Sequence, residues 1–238
     1  MLTSSMKLLI ISSCTNAKSV EAPNSLKLSD FRSPDTLRAR EAELNRWLRP
    51  AFEMYAGEQH KRLVHGVKEL RAAFGRQVAS VKIVSAGYGL IDEEQLIAPY
   101  NVTFATMSRS EQLAWSQHLG IARAVREAIR GWPLVFFLLG DAYLRAIEPP
   151  IKAEAGQRLI FVCKAGLSQK LIQPGTTIVS VGLNESQRFG AGYVALKGRM
   201  CEVFAHSLAR EGESLFAHLC TDNTAVTFMK AVERGLDS

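Results

Sequence analysis

No apolar run in these 238 residues approaches the roughly 20 needed to cross a bilayer; the longest aliphatic stretches, around Leu8 to Ile11 and Leu134 to Leu139, have the length of a strand. No membrane association is expected. Met1 to Lys7 lacks the basic start, long apolar run and small-residue cleavage site of a secretory signal, so a cytoplasmic location is expected. Cysteine is sparse and scattered: Cys14, Cys163, Cys201 and Cys220 form no Cys-x-x-Cys pair and have no histidine at ligand spacing. That leaves neither a disulfide framework nor a zinc site, and four reduced thiols with no metal or cofactor are expected. The histidines at 60, 65, 118, 206 and 218 fall on predicted helices without metal spacing and read as structural or solvated. Internal repeats, low-complexity tracts and a clear linker are also missing, which favours one domain over 1–238, a size that buries roughly 70% of its unfolded surface.

Apolar residues make up 47% and charged residues 22%, enough for a core and too few charges for disorder. Lys plus Arg outnumber Asp plus Glu by 29 to 23, a formal charge of +6 that raises encounter rates with polyanions. The excess is local: Lys61, Arg62, Lys68, Arg71, Arg76 and Lys82 share their stretch with a single acid, Glu69. Short aliphatic runs closed by Gly, Ser or charged residues predict strands at Lys7 to Ser12, Ser80 to Ser85, Pro133 to Leu139, Gln157 to Cys163 and Thr176 to Val181. Their continuous apolar character implies cover on both faces. Between them lie helical patterns: Asp35 to Trp47; Tyr55 to Phe74, with a basic outer face; Ser108 to Arg130, opened by a Ser108/Glu111 capping box and stopped by Gly131 and Pro133; Arg199 to Arg210; and Asp222 to Glu233. Strands alternating with helices predict a three-layer α/β/α sandwich with a largely parallel central sheet.

Ligands of such sheets sit beyond the carboxyl ends of the strands. The post-strand segments here are Ser13 to Asn16, Ala86 to Gly89, Gly140 to Tyr143, Lys164-Ala165-Gly166 and Gly182 to Asn184, all polar or glycine-bearing. The richest stretch is Ser85 to Thr103, where a strand ends in Gly87-Tyr88-Gly89 and is followed by Asp92, Glu93, Glu94 and then Pro99-Tyr100-Asn101. Glycines allow close backbone approach, a tyrosine can stack on a base, and a carboxylate can activate water or stabilise a cationic sugar. A turn, a solvated acidic run and a core tyrosine would produce the same letters.

Taken together, Ser13-Cys14 with Lys18, Met54-Tyr55 with Gly57, Ser85-Ala86-Gly87-Tyr88-Gly89-Leu90-Ile91, Ile97-Ala98-Pro99-Tyr100-Asn101-Val102-Thr103 and Gly140-Asp141 with Tyr143 resemble a bacterial family. Its pattern is strand-Ser-Cys-x-x-x-Lys, Leu-Tyr-x-Gly, Ser-Ala-x-Tyr-Gly-Leu and Ile-x-Pro-Tyr-Asp-x-Thr. The resemblance covers roughly residues 7 to 150. It implies an architecture related to the uracil-DNA glycosylase fold and to the base-handling domains attached to archaeosine enzymes. Bacterial members of this general type include antiphage DNA glycosylases that remove hypermodified cytosines. The chain departs from the pattern at Asn101, where the family carries Asp, and in the long segment between Lys18 and Tyr55. An asparagine cannot act as a base but can orient water or contact a base edge.

The resemblance therefore implies hydrolysis of an N-glycosidic bond through an oxocarbenium-like sugar. Asn101 or Glu94 would hold the water, Asp141 would balance the developing charge, and Tyr88 or Tyr100 would stack on an extruded base. Ser13, Cys14, Tyr55, Ser85, Gly87, Gly89 and Tyr143 are the expected pocket surroundings. Asn184 would read a base edge, and Lys18, Lys61, Lys68, Arg188, Lys197 and Arg199 would meet phosphate. Lys18 as a Schiff-base nucleophile and Cys14 as a thiol nucleophile are alternative roles. The expected partner is DNA, with no obligate protein partner. Two other readings stay open: a nucleoside or nucleotide hydrolase or deazaguanine transglycosylase, which needs no basic DNA track, and a non-catalytic nucleic-acid sensor.

Overall fold

The first strand, β1 (Leu8–Ser13), is buried along its whole length, as a continuous apolar run requires when helices cover both sheet faces. In this computed structural model, which describes residues 6–164, 166, 171–222 and 224–236, β1 is a central strand. Met1 to Ser5, part of the stretch read for a signal, and Ala165, in the loop expected after the fourth strand, lie outside the described residues.

The other strands are β2 (Arg49–Pro50), β3 (Ala79–Ser85), β4 (Gly89–Asp92), β5 (Leu96–Ile97), β6 (Leu134–Leu138), β7 (Arg158–Cys163) and β8 (Thr176–Ser180). The main sheet has the order β4-β3-β1-β6-β7-β8, parallel except for the β3–β4 pair; β2 and β5 form a separate antiparallel ribbon. The helices are α1 (Pro34–Glu43), α2 (Ala51–Met54), α3 (Glu58–Phe74), α4 (Arg109–His118), α5 (Ile121–Ala128), α6 (Asp141–Ala146), α7 (Leu183–Arg188), α8 (Leu196–Glu211), α9 (Glu213–Thr221) and α10 (Ala225–Glu233). α3, α8 and α10 pack in one group and α4, α5 and α6 in another, giving the expected three-layer sandwich. Adjacent residues of β6 serve the two faces: Phe136 packs on Phe204 of α8 and Phe228 of α10, whereas Phe137 stacks on Phe161 at 4.2 Å.

The five predicted strands are all present within a residue or so of their expected bounds. Three differences have clear causes. The helix expected over Ser108 to Arg130 is two, because Gly120 adopts φ +63°, a left-handed conformation that ends α4 and turns the chain into α5; the Ser108/Glu111 capping box does open α4. The helix expected from Tyr55 begins at Glu58, since Tyr55 is extended and pairs with Lys18. The third is an unexpected edge strand, β4, in which Gly89 and Ile91 are buried and which ends at Asp92; Asp92 and Glu94 are exposed, as in a solvated run, whereas Glu93 is buried.

The register keeps the strand ends level, with Ser13 opposite Val84, Ser12 opposite Leu138 and Cys163 opposite Ser180. The chain moves outward from β1 to β3 on one side and then from β6 to β8 on the other. The point where the strand order reverses lies between β1 and β6, and the crevice beyond their carboxyl ends is the favoured ligand position of such sheets.

Candidate functional site

Two short backbone pairings assemble the crevice. Ser19 N donates to Met54 O at 2.7 Å and Ala56 N to Ala17 O at 3.0 Å, which brings Lys18 against Tyr55. Leu26 N donates to Pro99 O at 3.0 Å and Asn101 N to Leu26 O at 2.8 Å, which ties the same loop to Tyr100. The segment between Lys18 and Tyr55, anomalous in the sequence pattern, is thereby the wall of an open cavity of about 980 Å³ whose lining includes Lys18, Glu21, Lys27, Asp30, Tyr100 and Asn101. Gly57 is fixed by the same assembly: a Cβ there would lie 2.7 Å from Thr15 Cβ.

Behind the cavity wall lies a buried polar chain. Ser85 Oγ accepts from Gly87 N at 3.2 Å and Tyr88 N at 3.0 Å, which leaves its own proton for the Tyr100 hydroxyl at 2.8 Å; Tyr100 then donates to the Tyr55 hydroxyl at 2.9 Å. Tyr143, on the first turn of α6, places its hydroxyl 3.0 Å from Cys14 Sγ and so bridges the ends of β6 and β1. Burial pushes the phenols of Tyr55, Tyr100 and Tyr143 far above their ordinary range, so they act as hydrogen-bond donors and not as bases. Lys18 Nζ lies 4.4 Å from the Tyr100 ring centre and 5.3 Å from that of Tyr55, and donates to Thr15 O at 2.6 Å and Asn16 O at 3.2 Å. Burial lowers its pKa, and negative charge on Cys14 would work in the opposite direction.

A second group flanks the first at the ends of β6 and β7. Lys197 of α8 is 8% exposed and donates to Leu139 O; Asp141 at the head of α6 pairs with Lys164 at 3.6 Å. Burial lowers Lys197, against the opposing pull of Asp141, and raises the Cys163 thiol beside it.

The predicted residues thus divide. Cys14, Lys18, Tyr55, Ser85, Tyr100 and Tyr143 form one cluster; Ser13 is buried at the end of β1; Asn101 is exposed on the cavity wall; Asp141 and Lys197 sit together on the β6–β7 side, away from that wall. Other expectations are corrected. Glu94 follows β4, which runs antiparallel, and therefore lies at the far end of the sheet, paired with Arg76. Glu93 is 3% exposed, held by Arg71 at 2.6 Å and by Val81 N at 2.9 Å, and Asp92 pairs with Lys82. Tyr88 is not free to stack on a base: its hydroxyl donates to Glu41 at 2.9 Å and accepts from Ala98 N at 3.0 Å, and its ring packs on Phe31 and Tyr100. Gly87 makes its close approach to the Phe31 ring, where a Cβ would come within 2.7 Å, and Gly89 at φ +76° turns the chain into β4 beside Leu119. Of the expected phosphate partners, Lys61 pairs with Glu58, Arg188 with Glu233 and Arg199 with Glu202, while Lys68 is exposed; Asn184, expected to read a base edge, is exposed too.

Sequence reasoning did not single out Glu41 or Lys27. Nothing local marks them; the only signal was the unexplained length between Lys18 and Tyr55. Among the described residues no group of His, Cys, Asp and Glu is arranged to hold a metal ion, and no helix is long and apolar enough to cross a membrane. A search of curated proteins found no match. Residues 45–171, just over half the chain and including Tyr55, Ser85, Tyr100, Asn101, Asp141 and Tyr143, match a family of unknown function (DUF6884), and the chain belongs to that family.

Proposed function

We propose that the chain is a DNA glycosylase that takes a modified nucleobase into the cavity beside Lys18, Tyr100 and Asn101, hydrolyses its N-glycosidic bond and leaves an abasic site. The observation that carries this reading is the meeting of Cys14, Lys18, Tyr55, Ser85, Tyr100 and Tyr143 at the strand-order reversal, next to a polar cavity of about 980 Å³, large enough for a nucleotide with a bulky base. Asn101, whose side chain has no protein partner among the described residues, orients the water. The water oxygen bonds to C1′, the C1′–N bond breaks, and its electron pair leaves with the base, which takes a proton from solvent through the phenol donors. The proton that the water gives up passes to solvent in the open cavity, and Asp141, on the β6–β7 side, offsets the positive charge on the sugar only at longer range. Tyr100 and Lys18 supply the polar wall against which the extruded base rests. The sequence resemblance supports hypermodified cytosine in viral DNA as the target, a role in antiviral defence in the cytoplasm, and action on DNA without an obligate protein partner.

The test is mass spectrometry of bases released from phage genomes carrying different cytosine modifications, incubated with the protein in a chelator. One modified base should appear together with abasic sites. Release should fall by about 10²-fold or more in Asn101→Ala, fall less in Asp141→Ala and stay unchanged in Glu94→Ala. Cleavage of the free modified nucleoside but not of DNA would replace this reading with a nucleoside hydrolase. No released base from any modified genome would end it.

A further inference from the structure

Beside the main cavity runs a second groove of about 440 Å³, lined by Leu28, Arg32, Met107, Glu111, Trp115 and His118 among others. The two share a wall. The single turn Leu28–Arg32 and its leading Lys27 present Lys27, Ser29 and Asp30 to the cavity, and Leu28 and Arg32 to the groove. Trp115 and His118, one turn apart on α4, stack with ring centres 4.8 Å apart and planes 20° from parallel. The other stacked pairs, Phe137 with Phe161 and Phe204 with Phe228, lie deep in the core, whereas His118 is exposed and Trp115 half-buried. Trp115 Nε1 donates to Ala86 O at 2.8 Å, which pins the indole to the turn after β3 that also carries Tyr88. Leu28 and Met107, packed on the core, form an apolar floor.

The charges are uneven. Arg32 is exposed and has no ion-pair partner among the described residues. Glu111, the groove's acid, is engaged at the head of its own helix, where it accepts from Ser108 N at 2.8 Å. An apolar protein partner would cover Arg32 without a counter-charge, which is costly; a phosphate would supply one. A rigid aromatic platform beside an unpaired guanidinium is how proteins hold single-stranded nucleic acid without reading its sequence.

We infer that this groove is a stacking subsite for a second, ordinary nucleobase of the strand whose modified base enters the cavity, with Arg32 against the intervening phosphate. The inference rests on the reading of the cavity as a base site, but not on the chemistry performed there. The strand crosses the Lys27–Arg32 turn, so that a substrate is gripped on both sides of the shared wall. A free nucleoside cannot use this grip, and the groove therefore favours polynucleotide over monomer.

The test uses a fluorescein-labelled single strand of eight thymidylates, which contains no modified base, and reads its anisotropy with the full chain. His118→Ala and Arg32→Ala change exposed side chains, and circular dichroism checks that each variant is folded. Each should weaken binding by about tenfold, the size expected for loss of one stacked base or its phosphate contact. Arg32→Ala should also reduce the slope of log affinity against log salt by about 0.7, and Arg32→Lys should restore it. Loss of binding in these variants supports the subsite even if the wild type releases no base from modified DNA, a result that would sink the excision alone. Unchanged octamer affinity in both variants, with base release intact, would overturn the subsite alone; no octamer binding by the wild type would overturn it as well.

Discussion

At the residue scale the site is governed by burial. Tyr100 joins Ser85 to Tyr55 through one hydroxyl that accepts from one neighbour and donates to the other. Tyr100→Phe keeps the ring against Phe31, Tyr88 and Lys18 while leaving two buried hydroxyls short of a partner. The expected cost is about 1–3 kcal/mol, seen as a fall in melting temperature of about 2–4 °C per kcal/mol. A melting point equal to wild type would show that the chain of hydroxyls contributes no stability. Lys18 gives a prediction with a definite sign. Its pKa is held below the ordinary 10.5, first by burial, so between the lowered folded value and 10.5 the unfolded chain binds more protons than the folded one. Stability therefore carries a penalty at lower pH that is relieved as pH rises through that window. In urea titrations at a series of pH values, Lys18→Met should gain less stability than wild type as pH approaches 10.5. Lys197, shifted in the same direction by its own burial, is present in both proteins and cancels in the comparison. Parallel curves would show that the amine is not desolvated.

At the scale of elements, β4 decides what the three consecutive acids do. Once Gly89 turns the chain back along β3, Asp92, Glu93 and Glu94 are carried away from the crevice and toward Lys82, Arg71 and Arg76. Glu93 is buried with its carboxylate satisfied by a guanidinium and a backbone amide, so Glu93→Ala strands Arg71 and Val81 N and should cost about 3–5 kcal/mol in urea unfolding. Glu94, exposed in a surface pair, should cost less than about 1 kcal/mol as Glu94→Ala. Neither change should alter base release per folded molecule; a large loss of release in folded Glu94→Ala would return that acid to the site. This contrast explains what could be read from the sequence. The buried parallel strands announce themselves as aliphatic runs, and the loops at their carboxyl ends follow from the class of sheet, so Cys14, Ser85, Asp141 and Tyr143 were recognisable as neighbours. A four-residue antiparallel return has too little pattern to stand out from a turn followed by acids. Direction was lost with it, and direction is what separates Asn101, which comes back to the crevice, from Glu94, which does not. The hydrogen bond from Tyr88 to Glu41 spans 47 positions and leaves no local trace.

At the scale of the whole molecule, the surplus of positive charge is distributed differently from its distribution along the chain. The basic stretch from Lys61 to Lys82 looks like a phosphate track, yet folding brings acids to most of it: Glu58 to Lys61, Glu202 to Arg62, Glu93 to Arg71, Glu94 to Arg76 and Asp92 to Lys82. Of those six cations, Lys68 alone has no ion-pair partner among the described residues. Cations without an acidic partner among the described residues include Lys27 at the cavity and Arg32 at the groove. A polyanion is drawn by net local potential and not by a count of lysines, so the two regions should respond differently to charge reversal. The Lys61→Glu/Lys68→Glu protein should bind a DNA strand within about threefold of wild type, with nearly the same dependence on salt. Lys27→Glu/Arg32→Glu should lose at least about tenfold and should flatten the slope of log affinity against log salt by about 0.7 for each phosphate contact removed. If the order is reversed, with the helix α3 pair carrying the affinity, the strand runs along α3 and away from the loop that walls the cavity. The wall would then have no part in holding nucleic acid.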